Sequence, residues 1–125
     1  MTHKPIRFDY VEDLLFSKNW NNKLYNQYFT TIRLLNKKFT LGSDFSIVIN
    51  TDKYKKFYGI ARIESIKKVR LIDLTTSEIL LDAALSKEDF QAKMQSIYGT
   101  MKINTNTEFQ LILLHYQTKH HDQNR

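Results

Sequence analysis

Hydrophobic and polar positions alternate through much of the first half of the chain. In "FTTIRLL", Ile32 and Leu34 fall on one side and Thr31 and Arg33 on the other, which is the two-residue period of a strand. Phe45, Ile47 and Ile49 repeat the pattern against Ser46, Val48 and Asn50. After the polar, lysine-rich connection "NTDKYKK", Phe57, Gly59, Ala61 and Ile63 form the apolar side of a third strand, with Tyr58, Ile60, Arg62 and Glu64 opposite. "VRLIDL" predicts a short fourth strand. "FQLILLHY", residues 109 to 116, is apolar on both sides, as a strand buried in the middle of a sheet reads.

Three segments carry helical signals instead. Val11, Leu14 and Leu15 recur at helical spacing, and Asp9, Glu12 and Asp13 suit the positive end of a helix dipole. They predict an N-terminal helix over about residues 8–20. Thr75 to Glu78 is a capping-box pattern, and Ser86 to Asp89 repeats it with Asp in place of Glu. Phe90, Met94 and Ile97 then form a core stripe, for which packing is a better reading of Met94 than a cofactor role. Gly99 is placed to end that helix. The order of helix, three or four strands, two helices and a closing strand predicts one α+β domain over residues 1–125. Its core is a small, mostly antiparallel β-barrel at about 28–116 with flanking helices, and residues 117–125 form a frayed tail.

Composition narrows the picture. A chain of 125 residues with 42% hydrophobic and 13% aromatic content is one folded domain's worth. The absence of cysteine removes disulfides, thiolate metal sites and a Cys nucleophile. No apolar run is long enough for a membrane span, and "MTHKPIRFDY" has no signal-peptide core, so the expectation is a cytoplasmic protein without a membrane partner. The net charge of +6 is uneven: residues 1–70 carry fourteen Lys/Arg and six Asp/Glu, and residues 71–125 five and seven. Such polarity attracts phosphates. Most of these cations are lysines, and a Lys-, Asn- and Ile-rich composition also arises from nucleotide bias, so charge alone does not decide for an anionic partner.

"FTTIRL", "FTLGSDFSIVI", "GIARIESI", "IDLT" and "LLDAALSKEDFQAKMQSIYG", in this order, resemble the ASCH domain, a small β-barrel related to the PUA RNA-binding fold. The resemblance covers about residues 28 to 116. It implies RNA or nucleoside binding in a cleft beside the barrel and, in one branch, hydrolysis of N4-acetylcytidine. The hydrolytic branch uses a Lys-x-x-Thr-x-Arg pattern and a later carboxylate. Carried over, the threonine is Thr31, the arginine Arg33 and the carboxylate Asp82. The lysine position is Tyr28, which departs from the pattern and leaves Thr31 without the base that would activate its hydroxyl. Lys18, Lys23, Lys37 and Lys38 are the lysines that could enter from elsewhere. Ala84 stands where the family's "LDxGxS" stretch has glycine.

The residues themselves fit a binding site. Thr31 and Arg33 share a strand face, and a guanidinium fork matches phosphate or carboxylate. Arg33 has two other readings: an ion pair with Asp82 or Asp73, or a solvated charge. Lysines 37, 38, 53, 55, 56, 67 and 68 interleave with Tyr54, Phe57 and Tyr58, as a surface that touches phosphates and stacks on bases would, or as ordinary solvated hairpin tips. The resulting expectation is a module for RNA or a nucleotide-like small molecule. Arg33, Lys37 and Lys38 meet phosphate, Thr31 and Asp82 bond ligand edges, and Tyr28 or Tyr98 stacks. The alternatives are a small amidohydrolase with Thr31 and Asp82 as catalytic residues, or a protein-interaction module using Trp20 and Tyr25. No histidine spacing suggests a metal, and no nucleotide-cofactor motif occurs, so no cofactor is expected.

Overall fold

The computed structural model describes residues 11–99 and 101–120. Five strands form one sheet: β1 (Glu12–Phe16), β2 (Tyr28–Leu34), β3 (Asp44–Asn50), β4 (Lys55–Arg70) and β5 (Glu108–Lys119). Their spatial order is β1-β3-β4-β5-β2. β1 runs parallel to β3, and every other neighbouring pair is antiparallel. An irregular 3₁₀ stretch, Trp20–Tyr25, joins β1 to β2, while α1 (Thr76–Ala83) and α2 (Lys87–Ile97) fill the connection from β4 to β5. The architecture is α+β, a curled half-barrel with helices on its outer side.

The curl comes from β4, whose first part pairs with β3 and most of whose length pairs with β5. Its ladder with β5 shifts register at Ile60/Ala61 and at Ile63/Ser65, and the ladder with β3 shifts at Ile47/Val48. Such bulges bend a strand and increase its twist. Beside the first shift, Gly59 has φ 146°, and a Cβ there would lie 2.3 Å from the Thr118 carbonyl oxygen. Only glycine allows β4 and β5 to approach so closely.

Each face of the sheet buries its own core. Phe29, Phe45, Ile47, Ile63, Ile112, Leu114 and Tyr116 pack inside the curl with Leu14 and Phe16 of β1. Ile32, Val69 and Phe109 meet Leu74, Ile79, Phe90 and Met94 on the other face, beneath α1 and α2. The helix starts follow the sequence signals. Thr75 and Glu78 form a reciprocal capping box, and the Ser86 hydroxyl accepts from the Asp89 N–H. Ala84 ends α1 in the left-handed region at φ 56°.

Four expectations are corrected. Residues Glu12–Phe16 form a strand, not part of a helix over 8–20, and residues 8–10 lie outside the described part. Leu14 and Phe16 are buried while Leu15 is 47% exposed, so the true period is two. Pairing with β3 outweighs local spacing here. "VRLIDL" is no separate strand, because Val69 and Arg70 finish β4 and Leu71–Asp73 make a 3₁₀ turn. Gln117–Lys119 belong to β5, with Thr118 and Lys119 opposite Ile60 and Gly59, whereas residues 121–125 are not described. The bulges also move Tyr58 to the side of Ala61 and Ile63 and leave Phe57 38% exposed.

Candidate functional site

The two edge strands, β1 and β2, meet at a seam where the curl nearly closes. Arg33 spans it: Nη2 donates to the Leu15 carbonyl at 2.8 Å and Nε donates to Thr31 Oγ1 at 3.0 Å. The guanidinium lies 4.5 Å from the Phe16 ring centroid, an attractive cation–π contact. Arg33 is half-buried, and burial pulls its pKa down, offset in part by Tyr98 and Asp82. Asp82 is near enough to act on Arg33 through its field, but its ion pair is with another residue.

That residue is Lys23. Its ammonium sits 2.9 Å from Asp82 Oδ1, and the two side chains are only 5% and 7% exposed. Thr30 Oγ1 donates to the same oxygen at 2.9 Å. Burial lowers the Lys23 pKa, with Asp82 pulling the other way. Lys23 is brought in by the irregular stretch after β1, where Asn21 and Asn22 adopt φ of 55° and 54°. Asparagine tolerates this left-handed backbone better than most residues. The Asn21 amide donates to the carbonyls of Leu80 and Leu81, which fixes the stretch to α1 and sets Lys23 against Asp82.

These groups line a cavity of about 150 Å³ at the seam. A cavity of this size holds a single aromatic ring. Its lining combines the polar Lys23, Thr31, Arg33 and Asp82 with the apolar Phe16, Ile32, Phe90, Met94 and Ile97. Tyr98 and Trp20 also line it, and the Lys18 and Lys93 ammoniums lie 4.0 and 5.2 Å from the Trp20 ring centroid. The pocket therefore offers donors from Arg33, an acceptor in Asp82 and flat aromatic surface. Among the described residues no group of His, Asp and Glu is arranged to hold a metal ion.

Of the residues expected at a site, Thr31, Arg33, Asp82 and Tyr98 come together here. Tyr28, Lys37 and Lys38 do not. Tyr28 stacks instead on the His115 ring, 4.2 Å between centroids, directly opposite it in the ladder with β5, and is not among the residues lining the cavity. Lys38 reaches Glu12 at 2.9 Å, and Lys37 is exposed in the β2–β3 loop. The ion-pair reading of Arg33 also fails, since Asp82 pairs with Lys23 and Asp73 with Arg70. Lys23, one of four lysines that could have entered from elsewhere, is the one that lines the cavity, and it is joined by Trp20 and Lys93, which were not expected there. Nothing in an irregular stretch or on an exposed helix side marks them as neighbours of β2.

The wider lysine set is dispersed and largely compensated. Lys55 pairs with Asp13, Lys67 with Glu78 and Lys68 with Glu108. Lys55 and Lys67 lie on one continuous strand, and a rise of ~3.3 Å per residue puts them roughly 40 Å apart along it. No helix among the described residues is long and apolar enough to cross a membrane. No family model matches the chain, and no curated protein sequence matches it.

Proposed function

We propose that the chain is a PUA-like module of the ASCH type that takes one ring of a nucleoside- or nucleotide-containing ligand, free or as one unit of an RNA, into the seam pocket. One observation carries this reading: a ring-sized, mostly apolar cavity is lined by a few polar groups, Arg33, Thr31 and Asp82 among them, together with the aromatic residues Tyr98 and Trp20. Few convergent polar groups in an apolar pocket are the mark of a small-molecule site. Trp20 is the single tryptophan of the chain, so its emission reports on the cavity. Titration with the four ribonucleosides, their 5′-monophosphates and a short single-stranded RNA should give a saturable change with at least one of them. Arg33→Ala should abolish it. Silence of Trp20 and of calorimetry with every one of these probes would defeat the reading.

A hydrolytic reading has its own support. In it Lys23 takes the part of the lysine missing at Tyr28: it lines the same pocket as Thr31, and burial lowers its pKa. Arg33 Nε donates to the Thr31 oxygen and leaves the Thr31 proton for a base. Lys23 can take that proton only after it has lost its own, which the Asp82 pair opposes. Release of acetate from N4-acetylcytidine, lost in Thr31→Ala, would establish this activity. No release over the unreacted background would leave binding alone.

A further inference from the structure

The cavity holds more positive charge than its carboxylates balance. Lys23, Arg33 and Lys93 line it against a single acid, Asp82, and Lys18 adds a further cation beside Trp20 at its side. Asp82 Oδ1 is already engaged by Lys23 and Thr30. Arg33 gives one donor to a neutral hydroxyl and one to a backbone carbonyl, and meets no carboxylate among the described residues. A guanidinium has further N–H donors beyond these, and the Phe16 ring occupies one of its faces. A half-buried cation that has lost much of its water to apolar neighbours, and has only neutral partners in return, is an incomplete ion pair.

We infer that the ligand supplies the missing anion, a phosphate or carboxylate group that takes the remaining donors of Arg33. The inference rests on the small-ligand reading above and narrows it: among nucleoside-containing ligands the pocket selects the phosphorylated form over the neutral one. The fork geometry of Arg33 matches two oxygens of one group, and Lys93 and Lys18 extend the positive field to the sides of the cavity. The exposed lysines at 37, 38, 55, 67 and 68 have no part in it.

The test is calorimetry on the full chain with each ribonucleoside, its 5′-monophosphate, inorganic phosphate and benzoate, a ring with a carboxylate and no sugar. At least one monophosphate should bind about 10- to 100-fold more tightly than its own nucleoside, the range for hydrogen bonds to charged groups. Arg33→Gln should shrink that gap to a few-fold at most, and Lys37→Gln should leave it intact. The comparison of nucleoside with monophosphate in the parent chain needs no variant, so it stands even if Arg33→Gln fails to fold. Equal binding of both forms would overturn the anionic ligand while leaving a nucleoside pocket. Binding of benzoate or phosphate through Arg33, with no nucleoside or nucleotide bound, would uphold the anion and discard the nucleoside. No binding by any probe would overturn both.

Discussion

Two lysine–carboxylate pairs of nearly equal length sit in opposite surroundings. Lys23 meets Asp82 at 2.9 Å with side chains 5% and 7% exposed, and Lys68 meets Glu108 at 3.2 Å with side chains 63% and 46% exposed. In water such a pair contributes about 0–1 kcal/mol, since solvent screens the attraction and two flexible chains must be held still. In the interior each ion gives up several kcal/mol of hydration, and the pair often only breaks even against an apolar replacement. The exposed pair is therefore cheap and unimportant, and the buried one is expensive without being a strong source of stability. Net charge read from composition weighs the two alike. Only burial separates them, and it moves attention from the lysine-rich strand ends to the seam.

The largest expected effect follows from removing one member of each pair. Asp82→Asn strands the Lys23 ammonium in a site that water reaches poorly and should lower the unfolding free energy by about 3–5 kcal/mol. Lys68→Gln should cost less than about 1 kcal/mol. Urea unfolding of the two variants measures both. Comparable losses would mean that the seam is as wet as the strand surface.

Alkaline pH should separate the inner core from the seam by sign. Burial raises the Tyr58 pKa to about 12, helped by Tyr25, and raises that of Tyr116 as well. A tyrosine whose folded pKa lies above its unfolded value near 10 contributes stability that is whole below about pH 10. That contribution is lost as the pH rises towards the folded value. Lys23 acts oppositely: its folded pKa is below 10.5, so between the two values the unfolded chain binds more protons and stability rises with pH. Two tyrosines against one lysine should give a net fall in melting temperature above about pH 10. Tyr116→Phe should weaken that fall and, at neutral pH, cost about 1 kcal/mol through the lost hydrogen bond from its hydroxyl to the Leu24 carbonyl. In Lys23→Met the alkaline fall should steepen, measured by thermal melts followed by circular dichroism. A fall unchanged in both variants would refute the assignment.

How far the sequence could be read depends on how local the deciding interaction is. β2, β3, β5 and both helix starts were legible because a two-residue period and a capping side chain act within a few residues. β1 was not, since Leu14 and Phe16 are its only two buried residues and the exposed Leu15 completes a false helical spacing. Its acids suggested a helix dipole, yet Glu12 and Asp13 pair with Lys38 and Lys55. The face of β4 was misjudged for a similar reason: a bulge shifts the phase without leaving a mark in the pattern. At the pocket, Thr31 and Arg33 share a face by strand period alone. Lys23 and Asp82 are 59 residues apart, joined by an irregular stretch that only docking on α1 holds in place. That contact has no local signature.

The most direct discrimination between a pocket built for a ligand and a pair that merely fastens α1 to the sheet is the double variant Lys23→Met with Asp82→Leu. It removes both buried charges and keeps comparable volume. A site kept for its ligand predicts a double variant as stable as the parent chain to within about 1 kcal/mol in urea, and no change in Trp20 emission with any nucleotide that the parent binds. A loss of about 3 kcal/mol or more, with nucleotide binding retained in the fraction that folds, would contradict it.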